Sequence, residues 1–169
     1  FPYTTLFRSS DTWDLWRVLV EYARRLKAEI LAREGKVVFR PDSGDPANIL
    51  CGYQNVYSTY NEYLEYQVAQ GLTPNEAEYK GVVELLWDIF EGTITPMGYK
   101  LLDSHVGCIY GDSISLKRAD DICNRLKMKG FASINWVAGI GSYTYQYNTR
   151  DTFGMAIKAT YCEALSTDG

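Results

Sequence analysis

Three short polar segments carry the side chains of this sequence best suited to chemistry on a phosphorylated ligand. In the first, Arg40 and Asp42 directly follow the apolar run Val37-Val38-Phe39. A guanidinium there can fork onto a phosphate or lie against a planar ring, and a carboxylate can orient a ribose hydroxyl or a hydrated metal ion. The alternative is that Asp42 or Ser43 caps a helix starting near Asp45-Pro46. In the second, Gly111-Asp112 repeats the scheme: glycine lets a ligand approach the backbone while the carboxylate projects beside it. Its alternative is again a helix cap, before Leu116. In the third, Gly139-Ile140-Gly141-Ser142 offers backbone N–H groups to an anion, with Arg150 and Lys158 following as cations. A two-glycine loop is by itself an ordinary tight turn. Recurrence of such loops after successive apolar runs is what favours a site.

Other polar residues invite less. His105 is the only histidine, and it falls just before an apolar run, where a structural or surface role is expected. Tyr143, Tyr145 and Tyr147 are expected to pack, and Glu62, Glu65, Glu76, Glu78 and Glu84 read as solvated charge. No nucleophile–histidine–acid triad can be assembled. Cys51, Cys108, Cys123 and Cys162 lack the paired spacing of a zinc or redox site, so reduced, partly buried thiols are expected.

The elements that must position these segments follow from periodicity. Ser10 or Asp11 can cap a helix over 12–34, with Trp13, Trp16, Val20, Ala23 and Leu26 or Lys27 along one face. Gly35 ends it, and 36–39 reads as a buried strand. A helix starts near 45–50. Residues 51–78, rich in Tyr, Asn, Gln and Gly, read as an insertion. A second amphipathic helix covers 79–90, with Val82, Leu85, Leu86 and Ile89 on one face. Strands are expected at 106–110, 134–138 and 153–161, and a helix over 116–129 is closed by Gly130. Alternating strands and helices predict an α/β fold with parallel strands. The polar segments would then share the face at the strands' C-terminal ends, where sites are built.

Composition bounds the rest. The 169 residues are 46% hydrophobic and 22% charged, as in an ordinary globular chain. A formal net charge of -4 without a basic cluster argues against a nucleic-acid surface. No apolar run would span a bilayer and no signal peptide is visible, so a cytoplasmic protein with no membrane partner is expected. Residues 1–9 translate one frame of a common sequencing-library adapter. They are expected to be foreign, leaving 10–169 as a partial catalytic domain.

Arg40-Pro41-Asp42-Ser43-Gly44-Asp45-Pro46 resembles a motif of the nicotinamide phosphoribosyltransferase family, which also includes proteins described as nicotinate phosphoribosyltransferases. The likeness continues through Gly98-Tyr99-Lys100-Leu101-Leu102, Tyr110-Gly111-Asp112-Ser113 and Thr149-Arg150-Asp151. Ser10-Asp11-Thr12-Trp13-Asp14 is similar to the family's segment opening the preceding helix. The resemblance implies part of a type II phosphoribosyltransferase fold, an irregular TIM-like α/β barrel. It also implies transfer of 5-phosphoribosyl from phosphoribosyl pyrophosphate to nicotinamide, giving nicotinamide mononucleotide and pyrophosphate.

By the same resemblance, Asp11, Arg40 and Asp42 contact the ribose, pyrophosphate and nicotinamide region, and Gly111 and Asp112 the ribose. Gly141 and Ser142 cradle the 5-phosphate with Arg150, and Lys158 reaches the phosphates across a homodimer interface. Ser142 stands where some members have glycine, and Ala156 where some have a hydroxyl. Mg²⁺ on the departing pyrophosphate and ATP as coupling substrate are implied as well. The family's phosphorylated histidine and ring-sandwiching aromatics lie upstream of Asp11, so the chain alone is expected to be inactive. Nicotinate as acceptor, a non-catalytic phosphate- or nucleotide-binding module, and an unrelated phosphate-binding barrel remain alternatives.

Overall fold

The β-branched and aromatic run Val37–Arg40 (β2) and the alternating run Val106–Tyr110 (β5) form the centre of a parallel sheet. A computed structural model describes residues 6–9 (backbone only), 14–54, 56–111, 114–139 and 154. Leu6–Ser9 (β1) and Trp136–Ala138 (β6) complete the sheet in the order β1-β2-β5-β6, all parallel. The register pairs Phe39 with Cys108 and Cys108 with Trp136, so these three share one face, and all are buried. Val106, Cys108 and Tyr110 turn into the core while Gly107 and Ile109 are half-buried, the alternation a pleated strand imposes. The chain is thus mixed α/β around a parallel sheet, as expected.

Leu6–Ser9 lies within the segment expected to be foreign and forms a strand of this sheet. Whatever the origin of that segment, the backbone of Leu6–Ser9 pairs along all of β2. An edge strand needs only backbone donors and acceptors in extended register, which almost any β-compatible run supplies.

The helical layer packs on one face. Leu15–Arg17 (α1), the π-helical turn Val18–Ala23 and Lys27–Leu31 (α2) make one helical stretch, capped by Asp14, whose carboxylate accepts the Arg17 N–H at 3.0 Å. Its buried face is Leu15, Leu19, Ala23 and Ile30, whereas Val20 is 40% and Leu26 50% exposed. Of the expected stripe, Ala23 is buried and Trp16 packs against the core, while Val20 and Leu26 turn outward because the expectation assumed an α-helical repeat. The wider π turn rotates the stripe onto residues spaced by four. Residues 10–13 lie outside the described residues.

Pro46–Cys51 (α3), Val82–Phe90 (α6) and Leu116–Met128 (α7) match the predicted helices. Val82, Leu85, Leu86 and Ile89 are buried, as their spacing required. The stretch read as an insertion holds Tyr60–Ala69 (α4), followed by Glu76–Lys80 (α5). Gly81, at φ 83°, separates α5 from α6, so the helix predicted over 79–90 is two. Gly92–Ile94 (β3) and Lys100–Leu102 (β4) form an antiparallel hairpin for which the sequence reading holds no expectation. Ser133–Asn135 is a 3₁₀ turn, so β6 is shorter than predicted. The strand expected at 153–161 lies outside the described residues.

Two contacts lock the helical layer. Tyr63, fully buried, sits among the rings of Tyr53, Tyr57, Tyr60 and Tyr79 at centroid distances of 5.4, 5.8, 5.9 and 5.3 Å. Beside this cluster Lys129 donates to the carbonyls ending α3 and α5, Cys51 at 2.8 Å and Lys80, and pairs with Glu84. A lysine there neutralises two helix C-termini at once. Glu84, expected to be solvated, is corrected: its side chain is 19% exposed and that of Lys129 only 6%.

Candidate functional site

Because β2, β5 and β6 are parallel neighbours, their C-terminal ends open on one edge of the sheet, and the predicted polar segments begin there. Arg40 is the last residue of β2 and is exposed; Pro41 is buried and Asp42 half-buried. Gly44 lies at φ 87°, a left-handed conformation that a side chain would strain. Asp45 then caps α3, its carboxylate accepting the Asn48 N–H at 3.0 Å. The cap is therefore Asp45, which decides against Asp42 or Ser43 in that role. Likewise Ser115 caps α7, accepting the Arg118 N–H at 3.3 Å, so that cap needs nothing from Asp112.

The three strand ends are tied together. The Tyr110 hydroxyl donates to the Gly44 carbonyl at 2.9 Å, reaching from the end of β5 to the loop after β2. The Gly139 N–H donates to the Tyr110 carbonyl at 2.8 Å, joining the loop after β6 to the same residue. Gly139 and Gly111 then meet backbone to backbone: a Cβ on Gly139 would lie 2.3 Å from the Gly111 Cα. The result is bare backbone at the ends of β5 and β6, on the same edge of the sheet as the end of β2, which leads through Arg40 to Asp42. Such a rim can hold an anion with backbone and guanidinium N–H groups while a carboxylate takes hydroxyl protons.

Arg40, Asp42 and Gly111 are thus brought to one edge of adjacent strands. Asp11, Asp112, Gly141, Ser142, Arg150 and Lys158 lie outside the described residues, as do Tyr143, Tyr145 and Tyr147. Sequence reasoning missed the roles of Tyr110 and Gly139. The available signals were a lone tyrosine ending an otherwise aliphatic strand and a glycine at the matching place on the next one.

Elsewhere the chemistry is quiet. Burial pushes the Cys51 thiol up to about 12 and raises Cys108 as well, so both stay protonated and poorly nucleophilic. Cys51, Cys108 and Cys123 are free thiols. His105 lies before β5, away from the rim, its Nδ1 2.7 Å from Asp103 Oδ1. Among the described residues no cluster of three His, Cys, Asp or Glu side chains could hold a metal ion, and no helix is long and apolar enough to cross a membrane.

Comparison with known proteins places this rim in context. The chain is 54% identical over 158 residues to the nicotinamide phosphoribosyltransferase of Acinetobacter baylyi, covering 90% of this chain and 28% of that protein. It is 34% identical over 160 residues to the enzyme of the same name from Mycoplasma pneumoniae, covering 95% of this chain and 32% of that protein. A third, from Xanthomonas campestris pv. campestris, is 32% identical over 161 residues, covering 95% of this chain and 27% of that protein. The chain therefore spans less than a third of the length of each. The family model for nicotinate phosphoribosyltransferases matches residues 4–166, starting within the segment set aside on sequence grounds. With nearly its whole length matched, the chain belongs to the nicotinate phosphoribosyltransferase (NAPRTase) family.

Proposed function

We propose that this chain forms the phosphate- and ribose-facing part of an NAD-salvage enzyme. That enzyme transfers 5-phosphoribosyl from phosphoribosyl pyrophosphate to nicotinamide, giving nicotinamide mononucleotide and pyrophosphate. The observation that carries this reading is the rim itself, with Arg40 ending β2, Asp42 in the loop that follows and Gly111 directly after the neighbouring β5, in a chain of this family. Positive charge develops at the ribose C1 as pyrophosphate departs, and fixed donors and carboxylates at that edge suit it. Arg40 would fork onto phosphate oxygens, Asp42 would accept from ribose hydroxyls, and Gly111 would let the sugar approach the backbone. Asp11, Asp112, Gly141, Ser142, Arg150 and Lys158 would complete the contacts, Lys158 from a second subunit of a homodimer.

Mg²⁺ is compatible with this donor set. It is commonly held by substrate phosphates, water and one or two carboxylates, and Asp42 is the described rim carboxylate that fits. When bound, it would neutralise charge on the departing pyrophosphate. ATP would act as coupling substrate through residues beyond this chain, and a cytoplasmic setting suits the free thiols.

The strand order supports the barrel as the parent fold. Among the described residues the parallel strands β1, β2, β5 and β6 lie side by side in the order in which they occur along the chain, without the reversal that marks doubly wound sheets. Lys36, Val38, Gly107, Ile109 and Val137 line a groove of about 210 Å³ on the sheet, space that further strands of a barrel would close over.

The test is steady-state assay of the full-length protein carrying this sequence. Formation of nicotinamide mononucleotide should fall by about 10²-fold or more in kcat/KM on Arg40→Ala, with nicotinamide preferred over nicotinate in direct competition. Unaltered turnover in Arg40→Ala would remove the rim from the reaction, and preference for nicotinate would reassign the acceptor. The 169-residue chain alone should show no turnover; product formation by it would overturn the expectation that it lacks essential groups.

A further inference from the structure

We infer that Tyr110 is a positioning residue for the substrate rim, setting the loop that carries Arg40 and Asp42 through its hydroxyl; this rests on the proposed reading of that loop as the phosphoribosyl site. Tyr110 is fully buried and touches no solvent, so it is not itself a ligand contact. It nevertheless makes hydrogen bonds to the loops after both neighbouring strands. Its hydroxyl donates to the Gly44 carbonyl at 2.9 Å, and its own carbonyl accepts the Gly139 N–H at 2.8 Å. It also precedes Gly111 directly, so one side chain and its peptide group register three rim loops.

Gly44 is where a single hydrogen bond has most leverage. At φ 87° the glycine has more freedom than any residue beside it, and a Cβ there would crowd Ile49 at 3.2 Å. Pro41, which is buried, and Asp45, which caps α3, also anchor the loop on either side of it. Arg40 and Asp42 flank the first anchor, and the hydroxyl holds the flexible point between the two. Without it, Gly44 can rotate and the carboxylate of Asp42 loses its fixed bearing, although the ring still fills the core.

Tyr110→Phe separates the two roles, since it keeps the ring and deletes only the hydroxyl. In the full-length protein, calorimetric affinity for nicotinamide mononucleotide should fall about 3- to 10-fold, the scale of one lost hydrogen bond. KM for phosphoribosyl pyrophosphate should rise by a similar factor with kcat changed less, and the melting temperature should stay within a few degrees. The double variant Tyr110→Phe/Arg40→Ala should lose less than the product of the single losses, because the hydroxyl acts through the loop. If Tyr110→Phe lowers the melting temperature but leaves affinity and KM unchanged while Arg40→Ala weakens binding, the positioning role is overturned and the rim reading stands. If Arg40→Ala itself leaves affinity unchanged, both fall together.

Discussion

The helical layer around Tyr63 and the rim around Tyr110 each centre on a fully buried tyrosine, yet they are held in different ways. Tyr63 is fixed by rings on several sides, and its hydroxyl reaches Glu78 only at 3.4 Å. Tyr110 is fixed by strand pairing, and its hydroxyl makes a 2.9 Å bond to a backbone carbonyl. Ring packing is non-directional and tolerates small shifts. A hydrogen bond to a backbone group sets a distance and an angle. The first arrangement resists unfolding; the second fixes geometry, which a binding rim needs more.

The largest test of this contrast lies in the helical layer. Lys129→Met should destabilise by about 3–5 kcal/mol, because it leaves Glu84 buried with its cation gone. Adding Glu84→Gln should recover part of that loss in chemical denaturation, and no recovery would mean that packing, not charge, sets the cost. At the rim, Gly139→Ala must push apart the ends of β5 and β6, at about 1–3 kcal/mol. Its loss of affinity for nicotinamide mononucleotide should exceed that of Lys129→Met, measured at a temperature where both are folded. A weaker effect on binding than on stability would erase the distinction between the regions.

Smaller still, Tyr63→Phe should cost no more than about 0.5–1 kcal/mol and leave ligand affinity unchanged, unlike Tyr110→Phe. The smallest effect concerns the opposite end of the sheet. Burial tends to raise the Asp103 carboxyl, but the His105 backbone N–H, ring and charge, together with Lys36, outweigh it and hold it below its usual value. A carboxyl lowered by folding contributes stability above its unfolded pKa, near 3.8, and loses it as pH falls through the folded value. Asp103→Asn should therefore flatten the acid limb of the stability profile below about pH 4 while leaving the rim's ligand affinity unaltered at neutral pH.

Much of this was legible in the chain itself. Val106–Tyr110 and Leu116–Met128 follow from apolar spacing and the stop at Gly130, and the start of α3 from Asp45-Pro46. The order of strand, polar loop and helix is enough to place Arg40, Asp42 and Gly111 on one edge. These features depend on neighbours within a turn or two, where side-chain period and capping act directly. The first helix forms where expected, but part of its buried face shifts: a π turn changes the period, and its residue types do not announce it.

Residue order and type were enough to specify a parallel α/β chain with polar strand ends and the family motifs upon them. It took long-range packing to bring Lys129 across two helices to Glu84, Gly139 against Gly111, and Tyr110 to Gly44, contacts between segments far apart in the chain. Such partners are chosen by how elements pack after collapse, and residue type alone records only that a buried hydroxyl or ammonium must find one.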